Sequence, residues 1–122
     1  MSKVNNINTY NPVSDENLLF DNNVWLYLFH PMQNSNKLKQ RQYSVFLKKV
    51  QTVRATIWIN ALVVSEFCNA WLKIEFKNWK KKPENIAKTD YKRDFVKSEQ
   101  YYETVKEIKE ILPQILKITT RG

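Results

Sequence analysis

Two acids in apolar surroundings hold the chemistry this chain can be expected to do. Asp21 follows the apolar run Leu18–Phe20, and Glu66 is the only acid in Ile57–Leu72 (IWINALVVSEFCNAWL). Each comes after a short strand-forming stretch that passes into a helical one. Loops leaving the carboxyl ends of parallel strands collect ligands in α/β folds. If the two strands lie parallel in one sheet, Asp21 and Glu66 reach the same edge. Glu66 stands six residues beyond Asn60, the expected N-cap of its helix, or about 9 Å along the axis, so its side chain can lean back toward the strand ends. Converging carboxylates suit a hard divalent cation, Mg²⁺ or Mn²⁺. Mg²⁺ typically takes one or two carboxylates and fills its shell with waters and substrate phosphates. Such an ion lowers the pKa of a bound water, orients it and offsets charge on a phosphodiester. The plainer reading makes Asp21 a turn or capping aspartate and Glu66 a solvent-facing acid.

A basic stretch gives such a site a partner. Lys73, Lys77, Lys80, Lys81, Lys82, Lys88, Lys92 and Arg93 are interleaved with Trp79 and Tyr91. Lys77, Lys80, Lys81, Lys82, Lys92 and Arg93 are the candidates for nucleic-acid contacts, with the aromatic rings stacking on bases. The alternative is a solvated helix end whose lysines complement the dipole. The whole chain carries a net charge of +8, a bias toward polyanions, nucleic acid first and an anionic membrane surface second. His30, beside Pro31, reads as a loop residue rather than a ligand or base. Cys68 is the one cysteine. It reads as a buried apolar filler, excludes an internal disulfide and points to a reducing compartment, the cytoplasm. No apolar run approaches the ~20 residues of a membrane span.

The elements that must position these residues follow from periodicity and punctuation. Residues 1–17 are rich in Asn and Ser and read as a mobile N-terminal tail, with one domain over 18–122. The first strand is Leu18–Phe20, and Asn22 or Asn23 is placed to cap a helix that starts near Val24 and ends at His30-Pro31. A polar loop is expected at 33–36. Tyr43, Phe46, Leu47, Val50 and Val53 recur at helical spacing. The second strand is Ala55–Ile59, and Asn60 caps a helix running to about Lys80. Tyr91–Phe95 (YKRDF) has no clear pattern. Ser98 caps a last helix through Tyr101, Val105, Ile108, Leu112 and Ile115, which Pro113 should kink or restart. A single glycine, Gly122, disfavours tight hairpins. This order gives two parallel strands and several helices.

Phe20-Asp21-Asn22-Asn23-Val24-Trp25-Leu26 resembles the opening motif of the PIN-domain family of metal-dependent nucleases, and Val63-Val64-Ser65-Glu66-Phe67 resembles its second motif. The likeness covers roughly residues 17 to 118 as architecture; its specificity rests on these two motifs. Asn22 stands where Thr or Ser is usual, and no motif matches the two further acids that full members carry; Asp90 and Asp94 lie between helices, outside that context. The resemblance implies a PIN-like α/β fold, a short parallel sheet flanked by helices, helix-rich and lacking its C-terminal strands, so that 18–122 reads as an incomplete domain. It also implies an endoribonuclease with Asp21 and Glu66 as catalytic metal ligands for Mg²⁺ or Mn²⁺. Asn23 would support Asp21 or the water shell, and RNA would be the substrate. Many small members are toxins of toxin–antitoxin pairs (VapC-like), so an antitoxin or self-association is expected, and no membrane partner. With only half the acidic site, the competing expectation is a catalytically silent basic module that binds nucleic acid or protein.

Overall fold

Leu18, Phe20, Ile57 and Ile59 point alternately inward from two short strands, and the chain is built around them. In a computed structural model, which describes residues 2–4, 7, 10–30 and 37–122, these strands are β2 (Asn17–Phe20) and β3 (Thr56–Ile59). They pair in parallel, with Leu18 opposite Ile57 and Leu19 opposite Trp58. Leu18, Phe20, Ile57 and Ile59 are buried while Leu19 and Trp58 are half-covered. The alternation sets one face of the sheet firmly in the core.

The parallel pairing expected from the sequence is present, but among the described residues the sheet has four strands rather than two. β1 (Ser2–Val4) lies parallel to β2, and β4 (Thr120–Arg121) lies parallel to β3, giving the order β1-β2-β3-β4. β1 comes from the stretch read as a tail, and Val4 is buried. The long helices among the described residues are α1 (Asn22–Phe29), α2 (Lys37–Thr52), α3 (Ala61–Lys80) and α4 (Glu99–Lys117). The polar loop expected at 33–36 lies outside the described residues.

Each helix boundary has a local cause. Asp21, not Asn22 or Asn23, caps α1, its carboxylate accepting from the Asn23 amide at 3.4 Å; the helix begins two residues earlier than the apolar pattern alone indicates. The Asn60 side chain accepts from the Val63 amide at 2.9 Å, as expected, and Ser98 does the same for α4 with Tyr101 at 3.2 Å. α2 ends in a Schellman arrangement: Arg54 N–H donates to Gln51 C=O and Ala55 N–H to Val50 C=O, with Arg54 at φ 60°. Pro113 is exposed inside α4, which nevertheless continues to Lys117. The unpatterned segment Tyr91–Phe95 is a π-helical turn, capped by Asp90, and Pro83–Asn85 is a 3-10 turn.

One core joins the sheet to α1–α4: Val4, Phe20, Trp25, Phe46, Val50, Phe67, Trp71, Ile108 and Ile115 are among its buried members. Fully burying a large apolar side chain contributes about 1.5–3 kcal/mol, which makes Phe20 and Trp25, rings 5.1 Å apart, principal anchors of α1 on β2. A second, aromatic cluster of Phe76, Trp79, Tyr91, Phe95 and Tyr101 pins the end of α3 to the π-turn and the start of α4. Trp25, Trp71 and Trp79 are all buried. No helix among the described residues is long and apolar enough to cross a membrane.

Candidate functional site

Because β2 and β3 run in register, the residues that follow them are neighbours. Phe20 lies level with Ile59 by continuation of the observed pairs, and Asp21 therefore leaves the sheet beside Asn60, the cap of α3. Asp21 is fixed there by its backbone as well as its side chain. Its amide donates to Val4 C=O at 2.8 Å, and its carboxylate, 16% exposed, lies 3.7 Å from Lys3 Nζ. Both carboxylate contacts are long, so its lone pairs stay available to a stronger partner.

Glu66 is exposed on α3, in its second turn. Asn23 is exposed in the first turn of α1, its backbone rather than its side chain touching Asp21. Asp21 thus stands at the edge where the strands end and Glu66 in the second turn of α3, and among the described residues no group of three or more His, Cys, Asp or Glu side chains comes together. A pair of carboxylates would leave an ion most of its waters, as Mg²⁺ coordination allows. It does not form an all-protein cage. A recess of about 430 Å³, lined by Ile59, Asn60, Val64, Ser65, Leu116 and Arg121 among others, opens at the same ends of β3 and β4.

The basic candidates occupy the other end of α3. Lys77 and Lys80 are in its last turn and Lys81 is its C-cap. Lys82 precedes the 3-10 turn, and Lys92 and Arg93 lie in the π-turn. Lys80 is fourteen residues beyond Glu66, about 21 Å along the helix axis. The structure gathers the lysines into one region but does not bring them to the acids. Lys80 Nζ sits 4.5 Å from the Phe76 ring centre. Arg93 is engaged by Asp94 at 3.4 Å, and this hydrogen bond holds the Asp94 carboxyl below the usual range. Trp79, expected to stack on bases, is instead buried under Lys88 and against Phe95. Tyr91 remains half-exposed.

Two features escaped the sequence reading. Lys3 reaches Asp21 only because β1 joins the sheet, and a three-residue strand in an Asn-rich segment gives almost no pattern to read. His30, taken for a loop residue, is fully buried at the C-cap of α1. Its Nε2 lies 3.2 Å from Glu75 Oε1, while Gln100 donates to the other Glu75 oxygen at 3.2 Å. The signal available was Glu75 itself, an acid on the apolar side of α3. Burial pushes the Cys68 thiol up, which fits an inert filler rather than a nucleophile. No protein-family model, no curated protein and no solved structure matches this chain.

Proposed function

We propose that the chain is a PIN-like, metal-dependent endoribonuclease unit working in the cytoplasm, with Asp21 and Glu66 holding Mg²⁺ or Mn²⁺ at the sheet edge. The observation that carries this reading is the parallel, in-register pairing of β2 and β3, which delivers Asp21 and the first turns of α3 to the same edge. An antiparallel pairing would have separated the two acids. When bound, the ion supplies a water of lowered pKa and offsets charge on the phosphodiester. The protein's part is to fix Asp21 through the Val4 carbonyl and the α1 cap, to present Glu66 from a capped helix, and to hold the RNA backbone with its surplus of positive charge.

The test is cleavage of single-stranded RNA with Mn²⁺ or Mg²⁺ by the wild type, Asp21→Asn and Glu66→Gln. Loss of cleavage in both variants supports the reading. Equal cleavage by all three identifies a contaminating nuclease and removes it. One observation favours a second reading, a silent nucleic-acid-binding module: Lys3 already stands against the Asp21 carboxylate. In that case Mn²⁺ binding is absent in the wild type and RNA binding persists.

A further inference from the structure

Between the acids and the lysines, α3 carries a recess that neither group accounts for. Asn69, Lys73 and Phe76 line it from α3, Tyr91 closes it from the π-turn, and its volume is about 300 Å³. Glu66, Asn69, Lys73 and Phe76 succeed one another at steps of three, four and three, so they follow one face of the helix. The recess therefore begins about 5 Å and ends about 15 Å past Glu66 along the axis. Lys77 and Lys80 continue beyond it.

We infer that this recess binds a base of single-stranded RNA, in line with Glu66. The Phe76 and Tyr91 rings pack edge to face, 88° apart with centres at 5.1 Å, and both line the recess, where their remaining surface can meet a flat aromatic ligand. Both rings are half-exposed, unlike the buried Trp79 and Phe95 of the same cluster. Asn69 is exposed at the rim and brings a carboxamide that can donate to and accept from a base edge. Lys73, also exposed, and the lysines beyond complement the phosphates on either side of that base. A stacked base, a polar reader and flanking cations are the working parts of single-strand recognition. The surplus of positive charge disfavours a cationic or purely apolar occupant. Placement of this base near a scissile phosphate rests on the nuclease reading; the binding itself does not.

The experiment measures binding of labelled single-stranded oligoribonucleotides in EDTA, so that no divalent ion takes part, with inorganic polyphosphate as the charge-only comparison. Asn69→Ala should weaken oligonucleotide binding about two- to tenfold and leave polyphosphate binding unchanged. Tyr91→Ala should weaken it about five- to a hundredfold, whereas Tyr91→Phe keeps the ring and should bind as the wild type. Lys73→Ala should weaken both ligands. Because Tyr91→Ala removes part of a cluster and can unfold it, photo-crosslinking of a 5-iodouracil oligonucleotide to the wild type gives an independent readout, expected at Phe76 or Tyr91. Crosslinks confined to α2, or wild-type oligonucleotide affinity in both Asn69→Ala and Tyr91→Ala, overturn the inference. So does a parallel loss of polyphosphate affinity in Asn69→Ala. Crosslinks in the recess together with metal-dependent cleavage that is absent or indifferent to Asp21→Asn would remove the nuclease reading and leave the base site standing.

Discussion

Replacing Lys3 with methionine isolates the question of what the Asp21 carboxylate is for. Lys3→Met keeps the length and apolar stem of the side chain and removes only its charge. The ammonium lies 3.7 Å from Asp21 Oδ1, with Lys3 58% exposed and Asp21 16% exposed. Unit charges about 4 Å apart interact by ~1 kcal/mol in water and ~4 kcal/mol at the dielectric of a protein surface. The exposure of Lys3 places this pair at the lower limit, in line with the 0–1 kcal/mol measured for surface ion pairs. A cation arriving at Asp21 must displace that contact, so its removal should tighten Mn²⁺ binding by about 1 kcal/mol, or about fivefold in Kd. Titration calorimetry or the EPR signal of free Mn²⁺ reads this directly, and raising the salt should shrink the difference by screening the exposed ammonium. Folding stability should fall by no more than the same ~1 kcal/mol. Unchanged Mn²⁺ affinity in Lys3→Met, with binding lost in Asp21→Asn, would show that Lys3 does not compete for the carboxylate. Binding that survives Asp21→Asn would place the ion elsewhere and refute the reasoning at its root.

Arg54 adopts φ 60° at the end of α2, where a side chain costs about 1–2 kcal/mol relative to the right-handed region; Arg54→Gly should raise stability by about 0.5–1 kcal/mol after glycine's own entropic penalty, seen as a higher urea midpoint. Burial, then the nearby Glu75, raises the Glu107 carboxyl pKa. The folded state thus binds that proton more tightly, and the stabilisation is complete below the ordinary carboxylate range and lost as pH rises through the raised value. Glu107→Gln should therefore stabilise the protein at pH 7, within about 0.5 kcal/mol for so exposed a position, and give no gain near pH 3 in thermal melts. Replacing Lys80, Lys81 and Lys82 with alanine should lower the log–log salt slope of single-stranded RNA binding by up to about two; an unchanged slope would assign these lysines to solubility.

What could be read from the sequence was whatever repeats or punctuates. The three longer helices, the caps at Asn60 and Ser98, and the parallel β2–β3 pair follow from periodicity and capping chemistry that act within a few residues. β1 and β4 were out of reach because three and two residues carry no alternation; they are strands only through partners elsewhere in the chain. The π-turn at Tyr91–Phe95 has the same origin, since Phe76, Phe95 and Tyr101 hold it in place rather than its own propensities. At the candidate site the register was legible and the electrostatics were not. Asp21 and Glu66 announce themselves as lone acids in apolar runs, whereas Lys3 becomes a neighbour of Asp21 only after a strand adds to the sheet edge. Trp79 was misjudged as a stacking residue because the sequence places it among lysines, while the fold turns it inward.

The spacing of the strands along the chain also dictates an order of assembly. β4 meets β3 by pairing Thr120 with Trp58, a closure that spans about half the molecule, and it does so with two exposed residues and the Gly122 amide bonded to Ile59 C=O at 2.9 Å. Such a closure repays its loop entropy only once the intervening helices have condensed. The β2–β3 pair closes a shorter loop, filled by α1 and α2, and buries Phe20 and Ile59 on contact. The β1–β2 pair closes a shorter loop still, so β4 is the last strand to dock and the first to peel away. The edge beside Asn60, and with it the recess at Leu116 and Arg121, opens and closes on the timescale of that local fraying rather than of global unfolding.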